Sequence, residues 1–255
     1  MKSIVAVLVL TCLFSIFGWA GIPKDVLLYL PFEDMDGGTV KDFSTYANKC
    51  TIKGNPKVVT GKIGQGIEFN GSTDFIEVAD SPSLATLEDQ ITMAAWIYPN
   101  ALGGVGDVIN KWGANNDGNA IHLEVNADGT LRMCLRQTPA VKVVDFTTPD
   151  TLKAKKWTYL TGVFDGKEGR IYFDGKKVAS ANGAGKIEIE RKVFEIGGNT
   201  IDSRYVNGIL DEVAIWNRAL SDDEITQAMN GKLISAAVAP RGKLTVTWGD
   251  IKEGY

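Results

Sequence analysis

From Val26 to Trp216 the chain is a succession of short apolar or alternating segments, punctuated at close intervals by Gly, Asn, Asp and Pro. The clearest are VLLYLPF (26–32), GIEFNG (66–71), FIEVAD (75–80), ITMAAWIYP (91–99), AIHLEVN (120–126), TLRMCLR (130–136) and VKVVDF (141–146). They continue with WTYLTGVFD (157–165), GRIYFDG (169–175), KKVASA (176–181), VFEIGG (193–198) and GILDEVAIW (208–216). Period-two alternation with β-branched and aromatic residues predicts strands. Asn126-Ala127-Asp128-Gly129, Asp165-Gly166 and Asp174-Gly175 supply tight turns, because Asp and Gly tolerate positive φ. No helical pattern of 10–15 residues separates the strands, which excludes a doubly wound α/β fold. The expected fold is all-β: a two-sheet antiparallel jelly-roll sandwich with one short C-terminal helix. That helix follows Ser221, with Glu224 three residues on as a capping box. Ile225, Ala228 and Met229 form its apolar stripe, and Asn230-Gly231 its stop.

Composition narrows the function. Apolar residues are 44 % and charged residues 23 % of 255, too apolar for a disordered chain. A net charge of −4 without basic blocks argues against nucleic acid as a partner. Three Cys and one His offer little for zinc or redox chemistry. After the N-terminus no apolar run approaches a membrane span. Residues 1–20 read as a signal peptide: Lys2, an apolar run over 4–17, then Gly18-Trp19-Ala20 before the cut. The mature chain is therefore expected to be secreted, extracellular or at the cell surface, as a domain over 21–231 and a tail over 232–255. Cys50 alternates with Ile52 and points inward, whereas Cys134 lies opposite Leu131, Met133 and Leu135. Side chains on opposite faces rarely reach bridging geometry, so no disulfide is expected.

The pieces LLYLPFED (27–34), GKIGQGIEFNG (61–71), DFIEV (74–78), ITMAAWIYP (91–99), WTYLTGVFDGKEGRIYFDGKKV (157–178), FEIGGN (194–199) and NGILDEVAIWNRALSDDEI (207–225), in this order, resemble the LamG-like jelly-roll domains. These are laminin G-like members of the concanavalin A-like lectin/glucanase superfamily. The resemblance spans roughly 26–231. It implies a mostly non-catalytic domain, often with a structural calcium. It sets acidic residues at Glu33, where many relatives have Asp, and at Asp211. Glu33 and Asp34 end the first strand and Asp42 sits in the next turn. First and last strands are commonly neighbours, so Glu33, Asp34, Asp42 and Asp211 are the candidate calcium ligands.

The aromatics Trp96, Trp157, Phe164, Tyr172 and Trp216 are assigned to the core between the sheets. Sugar-stacking aromatics belong in Gly/Asn/Asp-rich loops, which selects Trp112 in KWGANNDGN and Tyr205 in NTIDSRY. With them, Asn115, Asn116, Asp117, Asn199, Asp202 and Arg204 form the candidate ligand-binding set. Catalytic arrangements are weak. Glu188 and Glu190 share a face but are flanked by Lys186 and Arg191, as on a charged outer face. Asp211 and Glu212 are adjacent and point to opposite faces. His122 shares a strand face with Glu124 and reads as an ordinary strand residue. No Gly-x-Ser-x-Gly elbow is present, and the Gly-rich pieces are not phosphate loops. The expected function is a secreted non-catalytic module that binds a polysaccharide or glycoprotein through its loops. The alternatives are a glycoside hydrolase or lyase on the same fold, and a protein-interaction or adhesion module.

Overall fold

The computed structural model describes residues 22–112, 119–138, 140–187 and 193–234, with backbone alone at 112 and 119. The expected signal peptide over 1–20, residues 235–255, Asn115, Asn116, Asp117, Glu188 and Glu190 lie outside the described residues, as does the side chain of Trp112.

The described strands form two antiparallel sheets. The first contains β1 (Val26–Leu30), β5 (Lys57–Thr60), β6 (Gln65–Asn70), β8 (Ile91–Pro99), β13 (Thr158–Phe164), β14 (Glu168–Phe173), β15 (Lys176–Asn182) and β17 (Asn207–Trp216). The second contains β2 (Met35–Asp36), β3 (Thr39–Lys41), β4 (Lys49–Lys53), β7 (Phe75–Val78), β9 (Gly106–Trp112), β10 (Asn119–Val125), β11 (Thr130–Thr138), β12 (Val141–Thr151) and β16 (Phe194–Ile196). The first runs β15-β14-β13-β8-β17-β6-β5 and the second β12-β11-β10-β9-β16-β7-β4-β3-β2. This is the two-sheet sandwich that the alternation predicts. Helix α1 (Asp222–Met229) starts where expected: Ser221 accepts from Glu224 N, and the Glu224 side chain returns to Ser221 N.

Strand β17 organises the first sheet. One flank pairs with β8 along most of its length. The other is shared end to end: Asn207–Leu210 pair with β6, and Val213–Trp216 with β1. The change of partner falls at Asp211-Glu212, where the register shifts and Glu212 adopts φ +53°. The simple alternation expected of these two acids is interrupted there.

Between the sheets lies the main core, with Leu28, Leu30, Phe32, Phe69, Met93, Ile109, Leu123, Met133, Phe164 and Ile215 buried. Cys50 is part of it, and Cys50 and Cys134 are both free thiols. The aromatics correct the expectation. Only Phe164 of the five belongs to the inter-sheet core. Trp96, Tyr172 and Trp216 sit on the opposite face of the first sheet with Tyr29 and Tyr159, packed with Ile225 and Ala228 of α1. Trp157 is half-buried against them. The physical reason is that the central strands are covered on both faces. Strand β13 is buried at every position, and β8 at all but Tyr98. Such a strand reads as a continuous apolar run, from which the two faces cannot be told apart.

Two predictions follow from this packing. Trp216→Ala removes a fully buried ring from beneath the helix and is expected to cost about 3–5 kcal/mol in equilibrium urea unfolding. Ser221→Ala removes the cap and is expected to cost about 1 kcal/mol in the same assay. The capping box also has a pH signature. The Arg218 guanidinium, chiefly, holds the Glu224 carboxyl down at about 2 from its ordinary 4.5. A depressed folded pKa contributes stability above the unfolded value. That contribution is lost as pH falls from 4.5 towards 2, and Glu224→Gln should flatten this part of the stability–pH curve.

Candidate functional site

The two outer faces of the sandwich differ. On the first sheet the outer face is apolar and covered by α1. On the second it carries polar side chains, several of them buried. The densest group is on β9 and β10. His122 lies opposite Asn110, and Glu124 opposite Asp107. Asp107 and Asn110 are an odd number of residues apart and should face opposite ways. A register shift between Leu123 and Glu124 places the extra residue, Val108, on β9, which brings both to the outer face.

His122 Nε2 is 2.9 Å from Glu124 Oε2 and 3.3 Å from Asp107 Oδ1. These are charge contacts off the N–H direction. Neither ring nitrogen makes a directed hydrogen bond, and Asp107 Oδ1 and Asn110 Oδ1 make none either. His122 and Asp107 are 0 % exposed and Glu124 is 2 % exposed. Burial pushes the Asp107 carboxyl well above the usual carboxylate range, against the pull of His122 and of the Asn199 amide. Burial acts the same way on Glu124, but His122, Arg204 and Arg132 together outweigh it and hold that carboxyl low. Arg132 also makes a two-pronged pair with Asp145, at 2.8 and 2.9 Å. Cys134 faces His122 across β10–β11, and burial pushes its thiol up, away from nucleophilic use.

The segment from Asn199 to Val206 is anchored onto this cluster. Asn199 donates from Nδ2 to Asp107 Oδ2 at 2.6 Å, and its Oδ1 accepts from Ile201 N and Asp202 N. Thr200 donates through N and Oγ1 to the Glu195 carboxylate, which also accepts from Asn110 Nδ2. Arg204 donates to Glu124 Oε2 at 2.6 Å and pairs with Asp202 at 3.3 Å. Tyr205 is half-buried, its ring 6.4 Å from that of Phe75. It lines a cavity of about 240 Å³ at the end of the sandwich, with Pro99, Leu102, Gly106, Val125 and Asn207. Four of the eight candidate binding residues, Asn199, Asp202, Arg204 and Tyr205, thus share one braced loop. Asn199 is fully buried and committed to that bracing, so it is not a surface contact. Sequence reading missed Asp107, Asn110 and Glu195. The shared face of His122 and Glu124 was legible, but the bulge that adds Asp107 was not.

The four candidate calcium ligands do not converge. Asp42 is saturated: its oxygens accept from Tyr29 N, Ser44 N, Ser44 Oγ, Asn48 N and Asn48 Nδ2. Asp34 is partly exposed and pairs with Lys41 at 3.3 Å. Glu33 and Asp211 do come together, around the 61–65 loop. Asp211 Oδ2 accepts from Ile63 N at 2.8 Å, and Glu33 Oε1 from Gln65 N at 2.8 Å. Gly64 stands against the Glu33 carboxylate at φ +64°, a conformation that favours glycine. The residue after Asp211, Glu212, instead accepts from Tyr29 OH at 2.6 Å. Burial first, and Glu212 in addition, push Asp211 up to about 8. Burial and the nearby Glu33 push Glu212 up to about 7. The Gly-rich loop therefore receives the protein's own carboxylates.

Comparison with known proteins bears on this geometry. No curated protein sequence matches significantly. Among solved structures, the binding domain of Paraclostridial Mosquitocidal Protein 1 aligns with TM-score 0.63 at 20 % identity, over 82 % of this chain and 52 % of that one. The binding domain of botulinum neurotoxin DC, in complex with rat synaptotagmin II, aligns with TM-score 0.63 at 16 % identity, over the same shares. This chain thus spans about half the length of those two. Domain 4 of AbnA, an extracellular GH43 arabinanase from Geobacillus stearothermophilus, in complex with arabinotriose, aligns with TM-score 0.62 at 19 % identity, over 80 % of this chain and 98 % of that one. These likenesses establish the fold. The sequence pattern of a laminin G-type domain matches residues 70–226. The chain belongs to the laminin G-type domains of the concanavalin A-like lectin/glucanases superfamily.

Proposed function

We propose that this chain is a secreted, non-catalytic binding module that recognises a polysaccharide or glycoprotein through the loops at one end of the sandwich. The observation that carries the reading is the 199–206 loop. It is held rigid by buried hydrogen bonds to the sheet and presents Tyr205 beside a cavity. A preordered aromatic next to hydroxyl-binding groups (Asp202, Arg204 and Asn207) suits a sugar face, because little ordering entropy is lost on binding. Trp112 ends β9 at the opposite end of that strand from Gly106 and the cavity, so Trp112, with Asn115, Asn116 and Asp117, is proposed as a separate contact and not as part of the Tyr205 edge. Similar folds accompanied by arabinotriose and by synaptotagmin support carbohydrate and protein ligands alike. The alternative glycosidase reading has a carboxylate pair to draw on, Asp107 and Glu124. Their burial leaves no room for a sugar beside them in this conformation.

The test is a glycan and polysaccharide array probed with the full chain. Specific binding is expected, weakened roughly tenfold or more (about 1.4 kcal/mol) by Tyr205→Ala, with the melting temperature little changed. A blank array, with a partner captured in a manner dependent on residues 232–255, would replace this reading with a protein-interaction module. Release of reducing ends, abolished by Glu124→Gln, would replace it with a hydrolase.

A structural calcium held by Glu33 and Asp211 is part of the same proposal. Its support is that Glu33 and Asp211 both bond the 61–65 loop, with the Glu212 charge acting on Asp211. A divalent cation offsets their mutual repulsion. Melting with calcium and then with chelator checks it: saturating calcium at a hundredfold excess over Kd should add about 2.7 kcal/mol. Identical melting curves would remove calcium from the account.

A further inference from the structure

We propose that Asp107, His122 and Glu124 hold a divalent transition-metal ion, of the zinc or manganese class, on the outer face of the second sheet. The inference stands apart from the ligand reading above and from the calcium at Glu33 and Asp211.

Three observations carry it. The first is convergence. One ligand atom from each residue can be chosen so that all lie within 4.8 Å of one another, and among the described residues only this group of His, Cys, Asp and Glu does so. Atoms bound to one ion at about 2.0–2.2 Å can be no further apart than about 4.4 Å. The two measured separations from His122 Nε2, 2.9 and 3.3 Å, fit that limit. The second is unmet demand. His122 is fully buried, yet neither of its ring nitrogens has a directed hydrogen bond. Asp107 Oδ1, 3.3 Å from Nε2, is without one too. Buried polar atoms without partners are rare in folded proteins, because each forfeits its bonds to water. A cation at this point satisfies Nε2 and Asp107 Oδ1 together. The third is outer support. Asn199 Nδ2 holds Asp107 by its other oxygen, Oδ2, which leaves Oδ1 turned to the imidazole. Arg204 and Arg132 fix the Glu124 carboxylate. Hydrogen-bonded carboxylates of this kind orient metal ligands elsewhere.

Donor chemistry selects the metal class. Calcium and magnesium favour oxygen cages, whereas one imidazole with two carboxylates suits zinc, manganese or cobalt. Arg204 sets a limit: its guanidinium shares Glu124 Oε2 with the site and lowers affinity for any cation. The competing arrangement is an imidazolium that neutralises the two carboxylates unaided. Either way the cluster ties the 199–206 loop to β9 and β10. With a metal in it, the loop's order becomes metal-dependent.

The chain has a single histidine, so the experiment can use the unmodified protein. Untagged, chelator-stripped protein labelled with nitrogen-15 is titrated with zinc, with manganese for paramagnetic broadening, and with calcium as a control. Bound metal is counted after dialysis. The expected result is about one zinc or manganese ion per chain, with the zinc-induced shift at Nε2 of His122. His122→Gln and Asp107→Asn should each lower retention at least tenfold. Ring nitrogens that stay in the imidazolium form through the zinc titration would overturn the proposal. So would binding unchanged in both variants, or a response to calcium alone.

Discussion

The central strands of the first sheet are buried on both faces, and much of the molecule follows from that. The inter-sheet face of β8, β13 and β17 meets the second sheet, and their other face meets helix α1 and its aromatics. Burying two faces of one sheet supplies apolar area that a sandwich with one wet sheet lacks. Trp96, Tyr159, Tyr172 and Trp216 therefore serve the α1 side, and the capping box at Ser221 matters because it anchors the lid over them. The second sheet is left to carry polar chemistry on its outer face.

That face is arranged by local irregularities in otherwise regular strands. The extra residue at Val108 turns Asp107 towards His122 and Glu124. At the Asp211-Glu212 shift, where β17 exchanges β6 for β1, Asp211 meets the 61–65 loop that Glu33 also bonds, and Glu212 meets Tyr29. Both carboxylate groups lie where pairing is interrupted, because a bulge is where a strand can aim neighbouring side chains at one point. The 199–206 loop then links the His122 cluster to the cavity at Tyr205, so the order of that edge depends on a buried charge network.

How much of this was legible differs residue by residue. The strands from Ile91 to Trp216 could be read from alternation or apolar runs, β9 excepted, whose end at Trp112 was expected to be loop, and the helix from Ser221 and Glu224, since these signals are local. The short strands β2 to β5 were not read, because two to five half-exposed residues carry too little period. Tyr205 could be singled out from its loop composition, but its place beside Leu102 and Val125 could not. Asp42 looked like a metal ligand by its type and position. Its five donors come from Tyr29, Ser44 and Asn48, and no spacing announces that saturation.

By itself the sequence determined the class of fold, the positions of most strands, the capped helix and the separation of Cys50 from Cys134. These rest on backbone preference and on one-dimensional period, which a chain carries in any conformation. The tertiary structure alone decided which face of a doubly apolar strand meets the helix, which acids converge and which are already satisfied. Those depend on register and on bulges, where a one-residue slip reverses every side chain. The composition, with three Cys and a single histidine, argued against zinc. Folding places that histidine between two buried carboxylates, and the chemistry open to it follows from where the strands put it.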